Sequence, residues 1–284
     1  MPEPSAAAVS AAVPAAADGV VPAAREALAV DVRAKRFRTG EGGVLHALGR
    51  VRFALPEGSF TCLVGPSGCG KTTTLSIVLG LDADYEGEVR LGAEGRVAAV
   101  FQEPRLLPWR SVEDNVRLAL PDARRDAPLD DLFEALGLAG HRGFFPAELS
   151  LGLARRAALA RAFAQEPALL VLDEPFVSLD AATASRLREL LGALWRARPT
   201  TALMVTHDLD EAVLLADRVI ALGGSPATVL GEVALGAPRA GRDAAWREAA
   251  AARVRRAMAG DGDPGDDVGD GPGRDPDGPR GVDL

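Results

Sequence analysis

FTCLVGPSGCGKTTTLSIVLGL, residues 60–81, is the stretch that decides the fold of this chain. It opens with a short apolar run, continues through a glycine-rich turn and closes on a helical pattern. Within it, Gly65–Thr72 fits the pattern G-x-x-x-x-G-K-[ST], which binds phosphate when a strand precedes it and a helix follows it. The glycines let several backbone N–H groups face one anion, and the start of the helix adds about half a positive charge. The stretch therefore predicts a phosphate-binding loop between a buried strand and a helix.

The loop and the start of its helix supply the predicted phosphate contacts. We expect Lys71 to reach the β- and γ-phosphates of a nucleotide and the Thr72 hydroxyl to bind Mg²⁺. Cys69 lies at the helix N-terminus, where we expect the pKa of its thiol to be lowered and its alkylation to be blocked by bound nucleotide. The predicted contacts are Gly65, Pro66, Ser67, Gly68, Cys69, Gly70, Lys71, Thr72 and Thr73.

Other apolar runs predict further strands of the same sheet. VRFAL (51–55) alternates apolar and basic residues, whereas VAAVF, ALLVLD and TALMVTH are nearly all apolar, like the run at 60–65. Nearly continuous apolar runs are typical of parallel strands that are buried on both faces. Because helical patterns follow several of them (71–81, 181–197 and 209–219), the sequence predicts an α/β fold with a parallel sheet.

Two segments depart from this alternation. Residues 104–162 contain no convincing strand, so we predict a helical insertion there. The C-terminal segment 237–259 is predicted to hold a helix, because residues 243–258 place apolar side chains at i,i+4 spacing, as a helix packed on a core does. These side chains are Trp246, Ala250, Val254 and Met258.

The charge, cysteine content and apolar runs of the chain narrow the class of protein to which it can belong. Of the net charge of −8, about −6 belongs to residues 260–284, where eight Asp accompany two Arg, so no nucleic-acid partner is expected. This Gly/Pro-rich acidic tail and the Ala/Pro-rich residues 1–28 are expected to be disordered. The only two cysteines, Cys62 and Cys69, favour a reducing cytosol over a disulfide framework. The longest uncharged runs, about 14 residues, are too short to cross a membrane.

Two acids end the apolar run LLVLDE, residues 169–174. Carboxylates at the C-terminal edge of a parallel strand face the ligand crevice, whereas in a core they would be costly. We predict that Asp173 holds Mg²⁺, either directly or through a water molecule. We predict that Glu174 orients and deprotonates the attacking water, which is worth roughly 10²–10⁴ in rate.

Two more polar residues end predicted strands at this edge of the sheet. Gln102 follows VAAVF and is predicted to contact the metal or the attacking water; an ordinary polar loop residue is the alternative. His207 ends TALMVTH. An isolated histidine is more often structural, but its place at the same edge of the sheet as Asp173 favours a contact with the γ-phosphate.

Together these motifs resemble the ATP-binding subunit of an ABC transporter over about residues 29–236. The resemblance implies a P-loop NTPase core with a parallel sheet, a small antiparallel β subdomain and an inserted helical subdomain. It also implies ATP and Mg²⁺ as ligands, and an aromatic ring stacked on adenine, which is Phe37 here. A D-loop is implied near 177–180, with Asp180 at the nucleotide; Val177 departs from the small residue that is common there.

The family also has a signature, commonly LSGGQ or LSGGM followed by a Gln-Arg pair, which binds the ATP of a second subunit. ELSLGLARRAALARA (148–162) matches it at Ser150 and Gly152, the implied γ-phosphate contacts, and departs at Leu151 and Arg155. A serine is a good N-cap, and the free N–H groups that follow it form an anion site. Because a residue directly after an N-cap should be helical, we expect Leu151 to lie on the first helical turn, with a negative φ at little cost. A positive φ there would cost roughly 1–2 kcal/mol.

The resemblance implies partners and a location. Such ATPases act as head-to-tail pairs, attach to permease subunits at the cytoplasmic face of the membrane, and serve an external or periplasmic solute-binding protein indirectly. FQEPRLLPW (101–109) is similar to a loop in importers of nitrate, sulfonate and taurine. Its Leu106, Leu107 and Trp109 are predicted either to contact the permease or to pack inside the helical subdomain. The ATPase of a thiamine-precursor importer, or a soluble ABC-type regulator without a permease, is the alternative.

Overall fold

The computed structural model describes residues 25–40, 42–92 and 96–260. The strands in these ranges are β1 (Glu26–Arg38), β2 (Val44–Leu48), β3 (Val51–Pro56), β4 (Phe60–Val64), β5 (Glu86–Leu91), β6 (Val97–Val100), β7 (Leu169–Asp173), β8 (Thr201–Thr206), β9 (Arg218–Gly224) and β10 (Ala227–Ala234). The α-helices are α1 (Lys71–Val78), α2 (Val112–Arg117), α3 (Asp130–Ala135), α4 (Leu151–Phe163), α5 (Ala181–Ala197), α6 (Leu209–Leu215) and α7 (Ala244–Ala259). None of the helices in these ranges is long and apolar enough to span a membrane.

The strand that precedes the glycine-rich loop lies inside the parallel part of the sheet. β4 pairs in parallel with β8 and with β9, and β7 and β6 extend the sheet beyond β8. The full order is β3-β1-β2-β10-β9-β4-β8-β7-β6, with β5 paired to β1. Because the C-terminal ends of parallel strands meet at one edge, the loops after β4, β6, β7 and β8 converge there. These loops carry most of the residues predicted to bind and cleave the nucleotide.

Side chains on these strands alternate between two hydrophobic cores. All five residues of β4 are buried. Phe60, Cys62 and Val64 belong to one cluster, while Leu63 belongs to the cluster on the other face of the sheet. A strand covered on both faces needs apolar side chains at successive positions, and the predicted parallel α/β sheet is therefore confirmed.

An antiparallel unit of β3, β1 and β5 adjoins this core. β1 is 13 residues long, and from Lys35 onward it pairs with β2 of the main sheet, with a register irregularity between Lys35 and Arg36. The strand corrects one expectation: residues 26–28 are not disordered, because Leu28 pairs with Leu55 and is fully buried. Residues 1–24 and 261–284, which hold most of both segments expected to be disordered, lie outside the described residues.

The segment 101–168 contains helices and turns and no strand. A serine N-cap precedes both α2 and α4, and its side chain accepts a hydrogen bond from the backbone of the helix. Ser111 accepts from Asp114 N, and Ser150 accepts from Leu153 N. Each cap satisfies an N–H group that helix geometry leaves free. The helical segment predicted at 104–162 therefore has the structural character that the sequence indicated.

The helix predicted over 209–219 is too long. α6 ends at Leu215, and Arg218 already begins β9. The prediction was wrong because Val219 and Ile220 pair in parallel with β4, and a short apolar run does not by itself show whether it is helix or strand.

α7 follows the pattern predicted for the C-terminal segment. Ala250 and Val254 are buried, and Trp246 and Met258 pack against the same cluster from partly exposed positions. Its N-cap is Asp243, which accepts from Trp246 N, and it ends at Gly260 with a φ of 81°. A glycine in the left-handed conformation is the usual way in which a helix ends.

Candidate nucleotide-binding site

The loop between β4 and α1 has the backbone shape that phosphate binding requires. Gly68 and Gly70 adopt positive φ values of 79° and 92°, which glycine adopts without strain. Gly65 is needed for another reason, since a Cβ there would lie 2.3 Å from the Leu222 carbonyl oxygen. Gly70 is the N-cap of α1 and has no capping side chain. The first N–H groups of the helix are therefore free to bind an anion.

Lys71 lies beneath this loop. Its side chain is only 4% exposed, and its ammonium group donates to the carbonyls of Gly65 (2.8 Å) and Pro66 (2.9 Å). Glu174 Oε1 is 3.9 Å from the same nitrogen. The ammonium is thus held at the loop, where the charged oxygens of a phosphate would be stronger acceptors than the two carbonyls.

Asp173 is the last residue of β7. Burial raises the pKa of its carboxyl group, and the nearby charge of Glu174 raises it further. Its Oδ1 is buried and has no hydrogen-bond partner among the described residues. A buried carboxylate oxygen without a donor is costly, and a bound cation would remove that cost.

Glu174 follows with a positive φ of 42°, a conformation that costs a non-glycine residue roughly 1–2 kcal/mol. Its Oε2 lies 3.3 Å from His207 Nδ1, and its Oε1 faces Lys71. The side chain keeps 17% exposure, so water can reach it. Backbone strain of this kind is concentrated at functional sites, and the carboxylate has both the neighbours and the access that a general base requires.

A cleft of about 500 Å³ collects most of the predicted contacts. Phe37 is 38% exposed, and the Lys35 ammonium lies 4.6 Å from its ring centroid. The predicted residues that line the cleft are Phe37, Ser67, Gly68, Gly70, Lys71, Thr72, Thr73, Gln102 and Glu174. It is also lined by residues that carry no sequence motif and that the sequence analysis missed: Leu45, His46, Ala47, Gly224 and Ser225.

The other predicted residues do not line this cleft. Gly65, Pro66 and Cys69 lie within the loop itself, and Asp173 lies at the end of its strand. His207 lines a neighbouring cavity of about 740 Å³ together with Glu174. Ser150, Gly152 and Asp180 are located elsewhere, at the starts of α4 and α5.

The loop that carries His207 is fixed by buried hydrogen bonds. Thr206 Oγ1 donates to Glu211 Oε2 (2.6 Å) and accepts from Asp208 N (3.0 Å). The Asp208 side chain in turn caps α6. Both neighbours of His207 in the chain are therefore held in place, which orients the ring relative to Glu174. The sequence showed no motif for this network.

The signature segment forms the start of α4. Ser150 has an extended backbone (φ −65°, ψ 158°), and its Oγ accepts from Leu153 N at 3.3 Å. Leu151 is the first helical residue, does not have a positive φ, and is 42% exposed. The expectation that it lies on the first helical turn is confirmed.

Gly152 is required by packing within the chain. It is buried, and a Cβ on it would lie 2.8 Å from Thr183 Cγ2 at the start of α5. Asp180 is the N-cap of α5, and its Oδ1 accepts from Thr183 N at 3.0 Å. Hydrogen bonding from the side chain and then the backbone of Thr183 lowers the pKa of the Asp180 carboxyl group. In this structure Asp180 acts as the N-cap of α5. Gly152 allows α4 to approach the start of α5 closely.

Two arginines of α4 bind the loops that carry the predicted catalytic residues, and the sequence analysis gave them no role. Arg155 donates to three carbonyls, those of Glu174 (3.4 Å), Pro175 (2.9 Å) and Val177 (2.7 Å). Arg161 donates to the carbonyls of Pro104 (2.9 Å) and Arg105 (2.7 Å) in the loop after Gln102. The departure of Arg155 from the family pattern was the only signal available in the sequence.

Cys69 differs from its prediction. Its side chain is 7% exposed, and burial raises the pKa of its thiol. The predicted lowering was wrong because burial disfavours the thiolate more than Lys71 and the backbone N–H groups favour it.

The donors around the cleft fit a magnesium ion that shares its ligands with a nucleotide. Mg²⁺ prefers oxygen ligands, and it commonly takes one or two carboxylates and completes its shell with phosphates and water. Asp173 offers a buried oxygen without a partner among the described residues, and the Thr72 and Gln102 side chains line the cleft. No group of three or more His, Cys, Asp or Glu in the described ranges could hold a metal alone.

Several known proteins are similar to this chain in sequence and in fold. The family model for ABC transporters matches residues 48–177. An aliphatic sulfonates import ATP-binding protein of Burkholderia lata is 44% identical over 223 residues, which are 75% of this chain and 81% of that protein. The protein with this function in Pseudomonas syringae pv. tomato is 42% identical over 216 residues, which are 75% of this chain and 91% of that protein.

Solved structures agree with these relatives. A dimeric ATP-binding cassette in a post-hydrolysis state with ADP and Pi matches with a TM-score of 0.64 at 28% identity, covering 74% of this chain and all of its own. Since both sequence and fold agree, the chain belongs to the ABC transporter family as one of its ATP-binding subunits, which are ATPases.

Proposed function

We propose that this chain is the ATPase of an importer for aliphatic sulfonates or a similar small anion. The proposal is supported by relatives named for sulfonate import, which are 39–44% identical over 68–75% of this chain. The ATPase assignment depends most on one observation: the Glu174 carboxylate lies between Lys71 Nζ (3.9 Å) and His207 Nδ1 (3.3 Å). A base thus lies beside a phosphate-binding cation, as hydrolysis requires.

Binding of ATP uses the cleft around the glycine-rich loop. The free N–H groups at the start of α1 and the Lys71 ammonium bind the phosphates, and adenine stacks on Phe37. Phe37 lines the same cleft as the phosphate loop. An aromatic face is sufficient for stacking, so a phenylalanine serves as well as a tyrosine.

Hydrolysis depends on Glu174. Its carboxylate accepts a proton from the water that attacks the γ-phosphorus, while the bond to the leaving ADP oxygen breaks. His207 and Gln102 orient the phosphate and the water. Thr72, Asp173 and Gln102 would hold Mg²⁺, which when bound neutralises charge on the phosphate oxygens.

A second copy of the chain completes each ATP site. Ser150 and Gly152 do not line the cleft of their own subunit. The start of α4, with Ser150 as its cap, is thus free to bind the γ-phosphate of an ATP held by another subunit. In a head-to-tail pair, each ATP lies between the phosphate loop of one copy and the α4 N-terminus of the other.

The helical segment supplies a surface for a permease. Trp109 is 70% exposed, and Phe144 and Phe145 are 41% and 46% exposed. The Phe144 carbonyl accepts from Val112 N, three residues after Trp109, so these aromatics belong to neighbouring loops. Leu106 instead packs against the core, which favours the internal role for it. The subunit would therefore lie on the cytoplasmic face of the membrane, attached through this surface.

Glu174→Gln tests the mechanism. The variant should still bind ATP, because the phosphate loop is unchanged, and its turnover should fall by roughly 10²–10⁴ because the base is lost. Light scattering should then show a stable dimer in MgATP. Glu134→Gln is the matched control, since Glu134 is exposed on α3. Hydrolysis at the native rate by Glu174→Gln would show that the assigned base is wrong.

A growth assay with a deletion strain tests the proposed class of solute. A strain that lacks this gene should fail to grow on an alkanesulfonate as its sole sulfur source and should grow normally on sulfate. Complementation with the native gene should restore growth, whereas the Glu174→Gln gene should not. Unimpaired growth on several alkanesulfonates would contradict the solute class without affecting the ATPase assignment.

A further inference from the structure

α4 contains a buried cation that the proposed mechanism does not use. Arg155 lies on the second turn of this helix, and its side chain is 4% exposed. Its recorded hydrogen bonds all go to backbone carbonyls, and the three acceptors lie within four consecutive residues, 174–177. One guanidinium group therefore ties the helix of the signature to the segment that follows β7.

That segment is unusually strained. Glu174 and Ser178 both have positive φ, 42° and 62°. The carbonyl of Glu174 and the carbonyl of Val177, which belongs to the peptide unit leading into Ser178, are both Arg155 acceptors. A hydrogen bond to a carbonyl restricts the rotation of its peptide plane, so Arg155 acts on the backbone next to both strained residues.

The Glu174 backbone is held from two sides. Its N–H donates to the Val205 carbonyl of β8 at 2.9 Å, and its carbonyl accepts from Arg155. β8 also leads directly into His207. The distance between the Glu174 carboxylate and His207 thus depends on two contacts of the Glu174 backbone. One is its hydrogen bond to Val205 of β8, and the other is its hydrogen bond from Arg155 of α4.

Arginine suits this position better than the residues that could replace it. Its two terminal nitrogens form a planar fork that reaches separate acceptors: Nη1 binds Pro175 and Nη2 binds Val177. Glutamine, which is common here in the family pattern, is shorter and has one amide nitrogen, and lysine has one ammonium group. Arg155 itself departs from that pattern, and its shortest hydrogen bond, at 2.7 Å, goes to the backbone carbonyl of Val177.

We propose that Arg155 is a positioning residue, which holds Glu174 in its working geometry and couples it to Ser150 on the same helix. Within one subunit, the Ser150 end of α4 binds the partner's ATP while Glu174 acts on the subunit's own ATP. A rigid link between them makes the base of one site depend on closure at the other. This inference rests on the proposed ATPase function and extends it to communication between the two sites.

The test compares Arg155→Gln, Arg155→Lys and Arg155→Ala in the 284-residue chain. The control is Arg186→Gln, since Arg186 is exposed on α5, the helix that follows the same segment. A displaced catalytic group can cost about 10²-fold in rate, so we expect kcat of the Gln and Ala variants to fall 10- to 100-fold. The KM for ATP should change less than about twofold, because the phosphate loop is untouched. Arg155→Lys should recover part of kcat. In the Gln and Ala variants the Hill coefficient for ATP should fall towards one.

Nucleotide binding separates positioning from a purely structural role. Binding of a fluorescent ATP analogue and ATP-dependent dimerisation in a Glu174→Gln background should be retained in the Arg155 variants. Parallel loss of binding, dimerisation and thermal stability would make Arg155 a structural residue and overturn the proposal. So would a kcat within about twofold of the parent for Arg155→Gln, or failure of all three variants to fold. If the parent chain itself hydrolysed no ATP, the proposed function would fail instead.

Discussion

Leu151 stands where the family signature has a glycine, and it keeps the geometry of the helix start. It is the first residue of α4, with an ordinary backbone and its N–H group still available. Leu151→Gly should therefore change ATPase turnover only a few-fold. Because glycine is about 1 kcal/mol less favourable than leucine in a helix, the free energy of unfolding should fall by no more than that amount.

Leu151→Ala is the matched control, because it shortens the side chain and keeps a good helix former at this position. Turnover and urea denaturation should be measured on all three proteins. A gain of several hundred-fold in turnover by the glycine variant alone would mean that the native signature is impaired by its leucine.

The raised pKa of the Cys69 thiol predicts how it reacts. The thiolate is the nucleophile, and a raised pKa means that less thiolate is present at neutral pH. Iodoacetamide labelling of Cys69, followed by mass spectrometry, should be slow at pH 7.5 and should rise only above the ordinary cysteine pKa near 9.0. Bound ATP should slow it further. Cys62, whose pKa burial also raises, is the internal reference. Rapid labelling at pH 7 would contradict the buried position of the loop thiol.

At the scale of elements, Lys35 connects β1 to the turn after α1. Its ammonium group donates to Asp82 Oδ1 (2.9 Å) and to the Asp84 carbonyl (2.6 Å) while it is 3% exposed. Lys35→Met should lower the free energy of unfolding by about 1–3 kcal/mol, because these acceptors lose their donor. The same change should weaken ATP binding, since Lys35 contacts the Phe37 ring.

The pH dependence of this effect follows from Asp82. The hydrogen bond from Lys35 lowers the pKa of the Asp82 carboxyl below its ordinary value near 3.8. A lowered acid pKa stabilises the fold above the ordinary value, and the stabilisation is lost as the pH falls through the lowered one. In urea denaturation the difference between wild type and Lys35→Met should persist at pH 5–8 and shrink below about pH 4. Arg90→Met, in an exposed ion pair, should show almost no difference.

Arg242 has the corresponding role for α6. It is 6% exposed, and its guanidinium donates to the carbonyls of Val213, Leu214, Ala216, Leu235 and Ala237. The first three belong to the C-terminal end of α6, where helix geometry leaves carbonyls without partners. α6 is the helix that follows His207, so this contact also supports the site.

Arg242→Ala should lower the free energy of unfolding by about 2–4 kcal/mol, because several buried acceptors lose a charged donor. Urea denaturation should show a lower midpoint with an unchanged slope. Arg255→Ala is the control, since Arg255 is 54% exposed in a surface ion pair and should change stability by less than about 1 kcal/mol. Equal effects of the two substitutions would show that the buried contacts of Arg242 do not contribute to the free energy of unfolding.

At the scale of the whole molecule, the head-to-tail pair predicts complementation between two inactive variants. Lys71→Ala should remove ATP binding at a subunit's own loop, and Ser150→Phe should block the helix start that we propose binds the partner's ATP. Each variant alone then lacks any complete site. Mixing them creates pairs in which one site has a native loop and a native signature, so ATP-dependent dimerisation and turnover should return.

Light scattering and phosphate release on the separate and mixed variants check this prediction. Wild type mixed with each variant provides the upper reference. No recovery in any proportion, with both variants folded, would contradict a site shared between two copies.

Much of the architecture could be predicted from the sequence because its signals are local. The glycines of the phosphate loop, the nearly continuous apolar runs of β4, β7 and β8, and the serine caps can each be recognised within a few residues. The placement of Asp173, Glu174 and His207 at one edge followed from strand ends alone, since parallel strands end together. The resemblance to the family signature identified Ser150, and its role as an N-cap placed Leu151 on the first helical turn.

By itself, then, the sequence determined the phosphate loop, the strands that precede and accompany it in the parallel part of the sheet, and the polar residues that end those strands. Only the tertiary structure decided that 218–224 forms a strand, that Leu28 is buried, that the pKa of Cys69 rises, and that Arg155 and Arg242 bind carbonyls far away in the chain. Glycine turns, caps and apolar periodicity depend on neighbours in sequence. Burial, strand pairing and long-range hydrogen bonds depend on neighbours in space, which a local pattern does not contain.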